Sequence, residues 1–149
     1  MLFSSKLTWA NRQHTNLATP LAWSRQHQIS LQSGQILECS SAAAFNGDAD
    51  KANPEELLLA AVSSCHMLSL LTIAEKKRWH VTAYQDYAQA ILSRNAHGLQ
   101  YISEITLAPK ISFAASSPTS DQLEKAHQLA HQHCFIANSI KAKVIINLD

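Results

Sequence analysis

The sequence predicts an α+β fold in which antiparallel sheets accompany two helices in the order βββ-α-ββ-α-β. Two stretches carry helix signals: a long apolar run over residues 57–77 preceded by a helix start, and an amphipathic run over residues 121–134. The segments around them alternate or are β-rich, and turn residues separate them where regular βαβ crossovers would otherwise stand. With 149 residues, 46% of them apolar, one domain over residues 1–149 has material for a core of its own. No internal repeat is evident.

Taken in order, residues 1–40 read as strands. Residues 21–32 (LAWSRQHQISLQ) alternate loosely, Ser33 and Gly34 supply a tight turn, and residues 35–40 (QILECS) return as the partner. Residues 41–52 form a loop, with Asn46, Gly47 and Asp48 as its turn signal. Asn53 is a good N-cap, Pro54 suits the first helical position, and Glu55 and Glu56 favour the positive end of the helix dipole. Glu56 stands three residues past Asn53, the spacing of a capping box. The run that follows is apolar nearly all round, which predicts burial on every side. In a short chain that implies cover by a sheet and by a second copy of the chain. Residues 80–92 and 99–113 read as two long strands joined by a turn at residues 94–98. Residues 116–120 cap the second helix, in which Leu123, Ala126, Leu129, Ala130 and Cys134 keep helical spacing, and residues 139–148 close the chain as a strand.

Several function classes are excluded at this level. The formal charge is +1, so no bulk basic field is available to hold nucleic acid. The first fifteen residues lack the apolar h-region of a signal peptide, and no apolar run is expected to reach the roughly 18–20 residues of a membrane helix. No membrane partner and a cytoplasmic location are therefore expected. Gly34, Gly47 and Gly98 are too scattered for a phosphate-binding loop, and no GxSxG motif occurs.

Three cysteines, Cys39, Cys65 and Cys134, form no CxxC pair. Cys65 falls mid-helix, where the dipole gives a thiolate little help, so reactivity there requires a cation from elsewhere in the fold. Cys134 ends a helix, where the dipole disfavours a thiolate, so it suits a resolving thiol better than a first nucleophile. Cys39 reads as core or edge. His127 and His131 are one helical turn apart and would face one metal with Cys134, but neither an acid nor a CxxC accompanies them. They read as part of a polar helix face, and no metal is expected.

The stretch NPEELLLAAVSSC (53–65) resembles the helix motif of the osmotically inducible and organic hydroperoxide resistance proteins, the OsmC/Ohr family. HCFIANS (133–139) is similar to the family's second cysteine motif, and with the element order the resemblance spans nearly the whole chain. It implies an OsmC-like fold, with sheets wrapped around long central helices in an intertwined homodimer. The implied activity is thiol-dependent reduction of organic hydroperoxides to alcohols. Cys65 would be the peroxidatic thiol that becomes a sulfenic acid, and Cys134 the resolving thiol that closes an intrachain disulfide. The resetting partner would be an external dithiol, lipoyl-type or another small thiol, and no bound cofactor is needed.

One branch of the family carries an arginine in the loop before NPEE. Here residues 42–52 have none, and Ala44 stands near the expected place. In the other branch the arginine lies about nine residues before the first hairpin turn, which points to Arg25, nine residues before Gly34. Arg25 would stabilise the Cys65 thiolate and the departing alkoxide, and Glu55 would hold Arg25 by a bidentate pair. Ten helical residues span ~15 Å, so Glu55 cannot reach Cys65 of its own helix. If both serve one site, two copies of the helix run antiparallel in the dimer. His66 after the first cysteine and Phe135 and Ile136 after the second depart from the family's usual bulky residue and Pro-Val. These departures keep a second reading open, a small-molecule or thiol-carrier binding protein of this fold with little turnover.

Overall fold

The computed structural model describes residues 1–10, 23–114 and 117–148. The chain divides into two compact units, Met1–Leu57 and Leu58–Asp149.

In the first unit β1 (Ser5–Thr8), β2 (His27–Leu31) and β3 (Ile36–Cys39) form an antiparallel sheet in that order. The predicted β2–β3 hairpin is present but shorter than expected; residues 21 and 22 of the first predicted strand lie outside the described residues. Gly34 makes the turn with φ +88°, a conformation that side-chain-bearing residues rarely adopt, and its N–H donates to the Leu31 carbonyl at 2.9 Å. A short 3-10 turn, Ala43–Phe45, ends at left-handed Asn46 and leads toward the first helix.

Helix α1 (Pro54–Lys76) starts as its sequence requires. The Glu56 N–H donates to Asn53 Oδ1 at 2.9 Å and the Asn53 N–H to Glu56 Oε2 at 3.2 Å, which closes the capping box. At the other end Arg78 takes a left-handed φ of 57°, and the Trp79 N–H reaches back to the Ala74 carbonyl at 2.9 Å, in the manner of a Schellman motif. One expectation is corrected here. With 23 residues and a mean hydropathy of 1.9 over its most apolar 18, α1 is long and apolar enough to cross a membrane by length and composition. Its serines, His66 and Thr72 break up the apolar run, yet the average stays high. Within one chain Val62, His66, Leu70, Ile73 and Ala74 of α1 form one buried stripe, whereas Leu68 is 58% exposed.

The second unit corrects the two long predicted strands, each of which breaks in two. β4 (Val81–Asp86) and β5 (Gln89–Arg94) replace the first, and β6 (Gln100–Leu107) and β7 (Pro109–Phe113) the second. β4 pairs with β7, β5 pairs with β6, and β8 (Lys143–Ile146) joins β6 in parallel, the one departure from antiparallel pairing among these strands. The hairpin therefore changes sheet at a corner. Pro109 has no N–H to offer a ladder there, and Asp86 holds the bend, accepting from the Ala108 N–H at 2.7 Å and from Ser63 Oγ of α1 at 2.5 Å.

Helix α2 (Ser120–His133) begins at Thr119, whose Oγ1 accepts from the Gln122 N–H at 3.3 Å while Gln122 Oε1 accepts from the Thr119 N–H at 3.0 Å. Ser116 of the predicted capping segment lies outside the described residues. Thr119→Ala is expected to cost about 1 kcal/mol of stability, measurable by urea titration. Two apolar clusters anchor the unit. Leu70 and Ile73 of α1 meet Ala126 and Ala130 of α2, and Val62 of α1 meets Ile105 and Leu107 of β6.

Candidate active site

Cys65 lies midway along α1 and is half-buried; Cys134 is the C-cap of α2 and is fully buried. The packing of α1 on α2 brings these two side chains close enough for Cys65 to bear on the ionisation of Cys134. Burial pushes the Cys134 thiol above its ordinary pKa and the contact with Cys65 adds to this, outweighing the N–H groups of Ala137 and Ile136 that favour the thiolate. The Ala137 N–H lies 3.4 Å from Cys134 Sγ. Cys134 is thus a protonated thiol at neutral pH, close to Cys65. The third thiol, Cys39, is buried in the first unit's sheet, and its pKa is raised by burial and then by Glu38.

Arg25 and Glu55 belong to the first unit. The Arg25 guanidinium lies 4.6 Å from the centroid of the Trp23 ring, and Trp23 meets Trp9 edge-on with centroids 6.5 Å apart. These side chains, with Leu7, His27 and Pro54, line an apolar cavity of about 230 Å³. Glu55, in the first turn of α1, has a buried Oε2 with no hydrogen-bond partner among the described residues. Arg25 stacks on an aromatic face, and no ion pair between it and Glu55 forms among the described residues of one chain.

A second polar contact between α1 and α2 escaped the sequence reading. His66 and His127 are 1% and 2% exposed, so His127 belongs to the core and not to a polar helix face. Their rings lie 10° from parallel, with His66 Nε2 3.0 Å from His127 Nδ1. The signal was present: His66 interrupts an apolar helix, and His127 follows the apolar Ala126 on α2. Burial, then His127 and His131, lower the His66 pKa to about 4; burial lowers that of His127 to about 4 against the opposing pull of Asp86. A folded pKa below the unfolded value means that the unfolded chain binds more protons between the two. The pair's contribution is complete above pH 6.5 and is lost as pH falls from 6.5 toward 4. Thermal midpoints recorded from pH 7 to pH 4 are expected to decline across that window.

The chain belongs to the OsmC-like protein family, which it matches over residues 47–149. It is 34% identical to an OsmC-like protein of unknown function from Vibrio cholerae, covering 100% of this chain and 99% of that one with a TM-score of 0.91. An organic hydroperoxide resistance protein from Elizabethkingia anophelis shares the fold at 18% identity and a TM-score of 0.73, covering 100% of this chain and 97% of that one. The organic hydroperoxide resistance protein OhrB of Bacillus subtilis does so at 19% identity and 0.68, with 100% of each chain covered. No curated protein matches the sequence at a significant level.

Proposed function

We propose that the chain is a thiol-dependent peroxidase that reduces organic hydroperoxides. The observation that carries this reading is the contact between Cys65 and Cys134, two thiols far apart in sequence. The Cys65 thiolate attacks a peroxide oxygen; the S–O bond forms as the O–O bond breaks, and the alkoxide leaves and is protonated to the alcohol. Cys65 is then a sulfenic acid. The Cys134 sulfur attacks the Cys65 sulfur, the S–S bond replaces the S–O bond, and the hydroxyl departs with the Cys134 proton as water. An external dithiol restores both thiols by exchange. A raised Cys134 pKa suits this order, since a resting thiol leaves the first attack to Cys65.

In this reading Arg25 steadies the thiolate and the alkoxide, and Glu55 positions Arg25 in a homodimer where each copy completes the other's site. The uncovered face of α1 with Leu68 supports a second copy as its cover. A monomer by light scattering at micromolar concentration would remove this part of the proposal. Arg25→Ala is expected to slow peroxide reduction about 100-fold, read as the rate of peroxide loss.

The direct test mixes prereduced protein anaerobically with cumene hydroperoxide. One equivalent of peroxide lost per chain, together with a mapped Cys65–Cys134 disulfide, is the expected result. No consumption above that of unfolded protein would reject it. The carrier reading anticipates thiols too far apart to bond, so the proximity of Cys65 and Cys134 favours the peroxidase.

A further inference from the structure

Within one turn of α1 three polar side chains reach other elements: Ser63 to Asp86, Cys65 to Cys134, and His66 to His127. The last has no part in the chemistry above. Two neutral imidazoles can close this contact in either tautomer, because one facing nitrogen carries the proton and the other accepts it. Each tautomer leaves the remaining nitrogens, His66 Nδ1 and His127 Nε2, without a hydrogen-bond partner among the described residues. Two cationic rings cannot close the contact, since both facing nitrogens would then be donors.

A single shared proton would also be badly placed. It would sit at positions 1% and 2% exposed. From α2, His131 is near enough to disfavour a charge on His66. From β4, Asp86 acts on His127, but its oxygens already accept from Ser63 and Ala108, and Tyr84 packs on the adjoining cluster of Leu70, Ile73, Ala126 and Ala130. The closed contact therefore excludes protons more strongly than separated, solvated rings do.

We propose that His66 and His127 form a positioning latch, a neutral interhelical hydrogen bond that holds Cys65 of α1 against Cys134 of α2 and opens on proton uptake. The facing α2 residues in this seam are Ala126 and Ala130, which offer little side chain to grip α1. His66 adjoins Cys65 in the chain, so the latch fixes the same helical turn that carries the thiol. Its role rests on the thiol-pair reading of the site, as the step it serves is closure of the Cys65–Cys134 bond.

The test uses glutathione redox buffers and no peroxide. Protein dithiol and oxidised glutathione give protein disulfide and two reduced glutathiones; the protein loses two electrons, and its two protons pass to glutathione. Peptide mapping reads the Cys65–Cys134 disulfide in the wild type, His66→Phe and His127→Gln from pH 7 to pH 4. The wild type is expected to close about tenfold more favourably than His66→Phe at pH 7, the loss of one buried hydrogen bond. That ratio should approach one at pH 4. His127→Gln keeps a hydrogen-bonding group that does not titrate, and should stay within about threefold of wild type at pH 7 with a shallower pH profile. A ratio of one at pH 7, or one that stays constant with pH, overturns the latch. Should His66→Phe not fold, the wild-type to His127→Gln comparison decides by the same criterion of slope. A wild type that closes with glutathione but ignores cumene hydroperoxide would defeat the peroxidase reading and leave the latch standing.

Discussion

Cys65→Ser is expected to reduce organic hydroperoxide on the order of a thousandfold more slowly than the wild type, or not measurably. A serine hydroxyl stays protonated at neutral pH and lacks the polarisable sulfur that accepts an oxygen atom and becomes a sulfenic acid. Cys134→Ser should behave differently. Its Cys65 can still consume one equivalent of peroxide, but the buried partner that would displace the hydroxyl is gone. The sulfenic acid should accumulate and be captured by dimedone, in an amount matching the peroxide lost. Repeated turnover with a dithiol should fall, because the reductant must then attack a half-buried sulfenic acid directly. Equal rates for wild type and Cys65→Ser would sink the assignment of the first thiol. Repeated turnover of Cys134→Ser at the wild-type rate would sink that of the second.

Asp86→Ala is expected to lower stability by about 3 kcal/mol, through two donors left without their acceptor. The carboxylate bonds Ser63 Oγ through one oxygen and the Ala108 N–H through the other. It therefore joins α1 to the corner where the β4–β7 pair gives way to the β5–β6 sheet. Removing it frees a backbone N–H at a point where Pro109 cannot donate to any ladder. For a chain of this length the loss should lower the thermal midpoint by about 10 °C. Asp86→Asn keeps one acceptor oxygen and should cost roughly half as much. Calorimetry of both variants at pH 7 provides the comparison, and midpoints within 2–3 °C of wild type would assign the corner's stability elsewhere.

Local chemistry was legible in the sequence. Asn53 with Glu56 marked the start of α1, and Ser33 with Gly34 marked the first hairpin, because caps and tight turns depend on residues within a few positions of each other. The breaks at residues 87–88 and at Ala108 were not legible. They depend on a carboxylate of β4 meeting an amide after β6 and a hydroxyl of α1, pairings set by tertiary packing. The parallel β6–β8 pairing was hidden for the same reason. At the candidate site the two cysteines stood out by motif, whereas their contact and the His66–His127 contact exist only once α1 and α2 are packed. His127 looked like one of several polar residues on an exposed helix face, since hydropathy pattern cannot distinguish a solvated imidazole from one whose nitrogen is paired inside.

The parallel pairing also sets an order of events. Ile105 of β6 lies beside Val144 of β8, and α2 with Cys134 is threaded between them in the chain. As the polypeptide emerges from the ribosome, α1 and the β5–β6 hairpin can form from neighbouring residues, but the third strand and the second thiol arrive later. Through that interval a nascent chain carries Cys65 with no Cys134 to receive it. If Cys65 reacts as proposed, an oxidant met then would leave a sulfenic acid open to any passing thiol, and mixed disulfides at Cys65 should concentrate in newly made chains.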